Sequence, residues 1–320
     1  MKPPYEITQT ILDLYGRINE ALGFCKSLLL IKPEARLRKE NRIKTIHSSL
    51  AIEGNTLDIE YVTALMNNVH VVGPQKDILE VQNAIVAYDN LPVYDPYSIQ
   101  DFLNAHSVFM KGLIENPGHF RTSQVGILKG REVAHIAPSH TMVPGLMQDL
   151  FYYIQHDADL GIIKSCVFHY EMEFIHPFED GNGRMGRYWQ TRLLMTSNPI
   201  FEFVPIEKVM KDHQEEYYDA LARSDTSGSS TAFIEFMLRA INASLREMIE
   251  ETKALNIDFK KRTTNALSVL EGWFDRKAYM KVCKDISSAT ASRDLRRLLG
   301  EHRIEASGTG RMTQYKKVHD

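Results

Sequence analysis

The chain is poor in cysteine and tryptophan, and it lacks any long apolar run. Its 320 residues include three cysteines and two tryptophans. Cys25, Cys166 and Cys283 lie far apart and form no CxxC pair, which argues against a thiolate metal site and favours a reducing compartment, the cytoplasm. No segment approaches the roughly 18 apolar residues of a membrane-spanning helix, so no membrane partner is expected.

Charge is distributed unevenly along the chain. The whole chain has a net charge of −3, yet residues 258–320 contain 14 Lys/Arg against 8 Asp/Glu, a balance of +6. This asymmetry predicts two domains with different partners. The expected organisation is an N-terminal helical region over 1–97, a core domain over 98–256 and a small module over 257–320.

Apolar residues recur at helical spacing over most of the sequence. The pattern predicts helices near 5–30, 34–53, 57–68, 76–90, 98–116, 143–156, 160–175, 184–197, 207–223 and 230–255. The exception is 118–140, where glycines, a proline and β-branched residues predict a short β-hairpin. Residues 224–230 predict a turn. The long helix from about 231 to 255, followed by the polar run KKRTTN, is the predicted bridge to the C-terminal module. The predicted fold class is therefore mainly α.

The segment HPFEDGNGRMGR, residues 176–187, carries the clearest chemistry. Pro177 ends the preceding helix, so a polar loop is set between two helices. Gly181 and Gly183 flank Asn182, and such a run allows successive N–H groups to turn inward as an anion nest. The next helix, expected from about residue 184, points its positive end at the same place, with Arg184 and Arg187 on one face. These five residues are the predicted phosphate-binding set.

Two further side chains of this segment complete a reaction centre. Asp180 lies at the mouth of the nest, and one carboxylate plus phosphate oxygens is how proteins usually hold Mg²⁺. His176 can take a proton from an attacking hydroxyl at neutral pH, so it is the predicted general base. Each feature alone is more often structural, but together within twelve residues they have no evident structural purpose.

These residues match the signature HxFx(D/E)GNGRxxR at every specified position, and the chain resembles the Fic family. The resemblance implies a helical Fic fold with a β-hairpin flap. It also implies transfer of AMP from ATP to a Ser, Thr or Tyr hydroxyl of a protein target, with the histidine as base, the acidic residue on Mg²⁺, and the nest and arginines on the phosphates.

The resemblance extends to both sides of the motif. Family members align a target segment on the flap, and here Arg131, Glu132, Val133, Ala134 and His135 occupy that place; a plain structural hairpin is the alternative. Relatives line the adenine pocket where Tyr217 and Tyr218 stand in this chain. Some relatives have an Asn one turn later, where this sequence has Ser224 and Asp225.

Residues 48–54, SSLAIEG, resemble the family's inhibitory motif (S/T)xxxE(G/N) through Ser49, Glu53 and Gly54. Gly54 suits the position after a helix end, and Glu53 in the last turn could reach a cation across a cleft. The resemblance implies that this cation is Arg187. These seven residues alone favour the alternative, in which Glu53 is merely a solvated helix end. Some Fic proteins with this glutamate also remove AMP, and the sequence leaves that open.

Residues 278–317 resemble a winged helix-turn-helix. Residues 287–299 read as a capped amphipathic helix bearing Arg293, Arg296 and Arg297, followed by the glycine-rich turn GTGR between two strand-like pieces. Such a module binds DNA through its second helix, or it docks protein or a second copy of the chain. The residues leave these alternatives open.

Taken together, the sequence predicts an autoinhibited protein adenylyltransferase that acts on a protein target or on itself. The rival hypothesis is a DNA-binding transcriptional regulator that senses nucleotide without catalysis. His176 discriminates between them, because a sensor needs the phosphate-binding residues but has no use for a base.

Overall fold

A computed structural model describes residues 2–27, 35–129, 132–284 and 286–318. These residues are predominantly helical, which confirms the predicted fold class. The α-helices are α1 (Gln9–Ser27), α2 (Ala35–Ile52), α3 (Ile59–Met66), α4 (Gln75–Asn90), α5 (Ile99–Phe109), α6 (Val143–His156), α7 (Gly161–Ile175), α8 (Asn182–Ser197), α9 (Ile206–Asp212), α10 (Gln214–Ser227), α11 (Thr231–Val269), α12 (Arg276–Val282) and α13 (Ser288–Gly300). The β-strands are β1 (Gly126–Lys129), β2 (Glu132–Ile136), β3 (Trp273–Asp275), β4 (Ile304–Ser307) and β5 (Gln314–Lys317).

The chain divides into two compact units, residues 1–247 and 248–320. The division falls inside α11, the same helix that contains the boundary expected at 257. The regions 1–97 and 98–256, which the sequence analysis kept apart, pack within the first unit up to residue 247. No helix in the described part of the chain is both long and apolar enough to span a membrane.

The core of the first unit is built around α7 and α8, which pack against each other and are buried on almost every side. Phe102 on α5 lies at its centre. The ring centroid of Phe102 is 5.2 Å from that of Trp189 on α8 and 5.4 Å from that of Phe178 in the loop between α7 and α8. Since edge and offset aromatic contacts of this kind stabilise a core, the loop is anchored at its base.

The hairpin predicted within 118–140 is present. Strands β1 and β2 pair antiparallel, and the register shifts between Ile127 and Leu128. Such an irregularity re-aims a strand locally.

The second unit has its own core and sheet. Strands β3, β5 and β4 form an antiparallel sheet in that order. Ser287 caps α13 by accepting a hydrogen bond from the backbone N–H of Thr290 at 3.1 Å, as its place before the helix predicts. Buried Asp294 accepts from both Arg262, at 2.7 and 3.0 Å, and the hydroxyl of Tyr279, at 2.9 Å. The winged-helix assignment of this unit stays a prediction.

Three boundary predictions were wrong. The helix expected over 207–223 is interrupted at His213, whose φ of −118° and ψ of 40° leave the helical region. The helix expected over 98–116 ends at Phe109. The helix expected over 230–255 continues to Val269, so the run KKRTTN lies within α11, where Thr263 is fully buried and donates to the carbonyl of Phe259.

Candidate active site

The loop between α7 and α8 is shaped by two residues in left-handed conformation. His176 caps α7 with φ 49° and ψ 60°, and Gly181 precedes α8 with φ 85° and ψ 12°. A positive φ is ordinary for glycine but unusual for histidine, and such strain concentrates at functional sites. The predicted nest is narrower than expected, since Gly183 belongs to α8 and has no positive φ. The helix begins at Asn182, two residues earlier than predicted.

Asn182 braces the loop from inside. Its side chain is buried, donates to the carbonyl of Phe178 and accepts from the N–H of the same residue, both at 2.9 Å. Both polar atoms of the amide are thus used on the loop backbone. The contact of Asn182 with ATP stays a prediction, and the bonds to Phe178 hold the loop in shape.

His106 on α5 supports the same loop from below. Its ring stacks on Phe178 with centroids 3.6 Å apart, Nδ1 accepts from the N–H of Gly118 at 2.8 Å, and Nε2 lies 3.0 Å from the carbonyl oxygen of Asp180. These contacts fix the tautomer with hydrogen on Nε2. Burial lowers the pKa of His106 to about 4, so the ring is neutral near pH 7.

Asp180 presents its carboxylate to solvent at the start of α8. The side chain is 49% exposed, and Oδ1 accepts from the N–H of Gly181 at 2.5 Å and from Nη2 of Arg184 at 2.9 Å. One carboxylate oxygen is therefore committed to orienting the group.

Arg184 is buried between two carboxylates. It is 3% exposed, and besides Asp180 it donates through Nη1 to Oε1 of Glu80 on α4 at 3.1 Å. The other oxygen of Glu80 accepts from the side-chain amide of Asn55 at 2.8 Å. A buried guanidinium needs such partners to offset its lost hydration. This chain of contacts connects the turn after α2 to Asp180.

Arg187 is paired with the residues of the predicted inhibitory motif. Its Nη2 donates to Oε1 of Glu53 at 2.7 Å and to the carbonyl of Ser49 at 2.9 Å, and its Nε to Oγ of Ser49 at 3.1 Å. Burial alone would lower the pKa of Arg187, but the charge of Glu53 raises it above its ordinary value. Gly54 has φ 87° and follows the end of α2, as predicted. A side chain on Gly183 would collide with the Glu53 carboxylate, which lies over the first turn of α8.

A second carboxylate, missed by the sequence analysis, lies near His176 and Arg187. Glu173 on α7 is within 3.7 Å of Nε2 of buried His169. Although burial raises the pKa of Glu173, the attraction of nearby His169, His176 and Arg187 brings it below its ordinary value. The site therefore contains two carboxylates near Arg187, namely Glu173 on α7 and Glu53 after α2.

The two tyrosines expected at the adenine pocket differ in exposure. Tyr217 is 1% exposed and its hydroxyl lies 3.2 Å from Nε2 of His169, whereas Tyr218 is 39% exposed. A ring buried as fully as Tyr217 cannot stack on a ligand unless it moves. Ser224 is buried and its Oγ accepts from the N–H of Phe233, so it serves the packing of α11.

Of the predicted docking residues, Glu132, Val133, Ala134 and His135 lie in β2, and their backbone takes part in the hairpin. Arg131 lies outside the described residues.

Comparison with known proteins agrees with this geometry. Residues 96–194, which include the whole loop and α8 up to Leu194, match the family model described as Fic/DOC family. The chain is also similar to the crystal structure of a Fic family protein from Desulfovibrio desulfuricans G20, with 36% identity, a TM-score of 0.76 and coverage of 100% of this chain and 99% of that one. The chain belongs to the Fic family.

Curated relatives of this Fic chain are more distant. It is 27% identical over 232 residues to protein adenylyltransferase fic-1 of Caenorhabditis elegans, and 25% identical over 235 residues to protein adenylyltransferase Fic of Culex quinquefasciatus. These alignments cover 68% and 69% of this chain but 43% and 44% of the relatives. The Fic chain thus matches less than half the length of each.

Sequence reasoning missed His106, Glu80 and Glu173, and also Arg121, which donates to the carbonyl of His176 at 2.7 Å. No local pattern marks them, because their contacts with the loop or its arginines exist only once the helices pack. In the folded protein these residues stand out because they are polar and buried. The hydrophobic periodicity of the sequence does not reveal which single polar residues will be buried.

Proposed function

We propose that this Fic protein transfers AMP from ATP to a Ser, Thr or Tyr hydroxyl of a protein target, with itself as one candidate target. The observation that carries the proposal is the arrangement of His176, Asp180 and the start of α8 around one loop, in a chain whose curated relatives are named protein adenylyltransferases. The target hydroxyl attacks the α-phosphorus, His176 accepts its proton, and pyrophosphate leaves.

The phosphates are expected at the N-terminal end of α8. The first N–H groups of a helix have no partner within the helix, and the helix dipole favours negative charge there. Gly181 allows the backbone to approach a ligand closely, and Arg187 supplies positive charge beside it. Arg184 contributes through Asp180, whose carboxylate it orients.

The donors at this site fit Mg²⁺ bound together with nucleotide. Within the described ranges, no three His, Cys, Asp or Glu side chains are grouped to hold a metal. Asp180, half exposed and held through one oxygen, suits an ion that takes its remaining ligands from phosphates and water. When bound, Mg²⁺ would neutralise charge on the phosphates, and Asp180 is the residue that would hold it.

We further propose that the ion pair of Glu53 with Arg187 restrains the transfer. A guanidinium that donates to Glu53 and Ser49 has less capacity to receive the terminal phosphate of ATP. ATP then binds with its α-phosphate out of line for attack. We make no choice between this restraint and a second role of Glu53, in which it orients water for AMP removal.

The cellular compartment is proposed from the state of the cysteines. The three cysteines are buried free thiols, which suits a reducing compartment, and we place the protein in the cytoplasm. A homodimer and DNA binding through 278–317 stay predictions.

The test is intact-mass spectrometry of the Glu53→Gly variant incubated with Mg²⁺ and each nucleoside triphosphate in turn. We expect the mass of adenylyl groups with ATP only. In the same background, His176→Ala should abolish the added mass while ATP binding by calorimetry stays near normal, because a general base contributes about 10²–10⁴-fold to rate and little to ground-state affinity. ATP binding without added mass in the Glu53→Gly variant, whose His176 is intact, would favour the nucleotide-sensing regulator.

A further inference from the structure

Arg121 lies between α5 and β1, and its side chain is buried, with 3% exposure. The guanidinium donates four hydrogen bonds, all to backbone carbonyl oxygens. Nε donates to His176 at 2.7 Å, Nη1 to Ser123 at 2.8 Å, and Nη2 to Pro138 at 2.5 Å and Ile175 at 3.3 Å. The guanidinium therefore acts as a junction of three backbone segments.

The charge of Arg121 is offset by the end of a helix. Among the side chains that the structure describes, no carboxylate pairs with Arg121, whereas Ile175 and His176 belong to the last turn and cap of α7. The C-terminal end of a helix carries partial negative charge on its free carbonyls, which suits a buried cation. The backbone N–H of Arg121 also donates to the carbonyl of Pro177 at 2.8 Å. Arg121 thus holds three successive residues of the loop.

The other two partners are the ends of the hairpin. Ser123 comes three residues before β1, and Pro138 two residues after β2. Because the guanidinium is planar and its N–H groups diverge at fixed angles, it sets both the distance and the orientation between these ends and His176. A lysine has a single nitrogen and cannot span the three segments.

We propose that Arg121 is a positioning residue that fixes the hairpin, and any target segment paired with it, relative to the general base His176. The inference rests on the proposed function and adds the residue that aligns target with base. The Arg121 side chain bonds the backbone at His176, whereas the hydrogen bonds described for Asp180, Arg184 and Arg187 go to other residues, so its role concerns the target and the base rather than ATP affinity.

The test compares Arg121→Lys with Gln124→Ala, both in the Glu53→Gly background. Gln124 is a matched control, since its side chain donates to the carbonyl of Ala137 at 2.7 Å and so ties the same hairpin ends without reaching the loop. We expect Arg121→Lys to lower the rate of self-modification at saturating ATP and Mg²⁺ by about 10- to 100-fold, since misplacement by about 1 Å can cost that much. The Kd for ATP should stay within about twofold, and Gln124→Ala should transfer AMP at near the parental rate.

Hydrogen exchange supplies a readout that needs no turnover. In Arg121→Lys, amides of β1, β2 and residues 176–181 should exchange faster together, whereas in Gln124→Ala only the hairpin should change. A parental rate of self-modification in Arg121→Lys, or faster exchange confined to the hairpin, would overturn the proposal. If Arg121→Lys is unfolded by circular dichroism, Arg121→Gln replaces it. If no variant transfers AMP, the result counts against the proposed function. The hydrogen-exchange pattern would then still test whether Arg121 connects the hairpin to the loop.

Discussion

Single residues hold the reactive loop through its backbone rather than through its reactive groups. Asn182 bonds the backbone of Phe178, and His106 bonds the carbonyl of Asp180 while stacking on Phe178. The motif residues themselves could be identified from sequence, because they are contiguous and their chemistry is local. Their supports could not, because His106 and Arg121 lie more than fifty residues earlier and contact the loop only in the folded chain.

The neutral state of His106 predicts a specific dependence of stability on pH. Burial lowers its pKa to about 4, whereas in the unfolded chain the pKa is about 6.5. Between these values the unfolded state binds a proton that the folded state does not, so stability falls as pH falls through this window. Glutamine can keep one donor and one acceptor at this position without titrating.

We therefore expect the parent to lose about 2 kcal/mol more unfolding free energy than His106→Gln when the pH is lowered from 7 to 5. Urea unfolding of both proteins at the two pH values measures this difference, and the effects of the other histidines cancel between them. Equal losses would show that His106 is protonated in the folded protein.

At the scale of elements, α8 is connected to the N-terminal helices by two arginines. Arg187 pairs with Glu53 after α2, and Arg184 with Glu80 on α4. The first pair was expected from the motif, but the second was not, since nothing in the periodicity of α4 indicates an inward-facing carboxylate. The sequence also missed the break at His213, because local pattern sets element type better than element ends.

The buried pair of Glu80 with Arg184 predicts a large effect of a small substitution. Glu80→Gln removes one charge from the partner of a buried guanidinium, and breaking such a pair typically costs about 3–5 kcal/mol. Since Arg184 keeps Asp180, we expect a loss near the lower value, measured by urea unfolding. The control is Lys76→Gln, whose side chain is 71% exposed and 4.0 Å from Glu80, and it should change stability by less than about 0.5 kcal/mol. Similar effects of the two variants would contradict this account of the pair.

At the scale of the whole molecule, the chain combines a Fic unit with a separate C-terminal unit. The sequence predicted a basic module there with three arginines on one helix. Arg297 is engaged within that unit, because its guanidinium packs 4.0 Å from the ring centre of Phe259 and pairs with Glu301 at 2.9 Å. Arg296 is exposed, so it is the better probe of a partner.

If the C-terminal unit binds duplex DNA through α13, Arg296→Ala should flatten the slope of log affinity against log salt by about 0.9, the value of one phosphate contact. Full-length parent and variant are titrated with duplex at several salt concentrations. A Lys76→Gln chain, altered in the first unit, should keep the parental slope. Identical slopes in parent and Arg296→Ala would assign the exposed face of α13 to a protein partner.

The restraint of AMP transfer by Glu53 is tested most directly by comparing self-modification of the parent and Glu53→Gly with labelled ATP and Mg²⁺. In the structure Glu53 accepts from Arg187 at 2.7 Å, so its removal frees a guanidinium for the terminal phosphate. We expect at least about tenfold more label in the variant, which corresponds to roughly 1.4 kcal/mol of lost restraint. Equal incorporation in the two proteins, with ATP bound by both, would contradict the account.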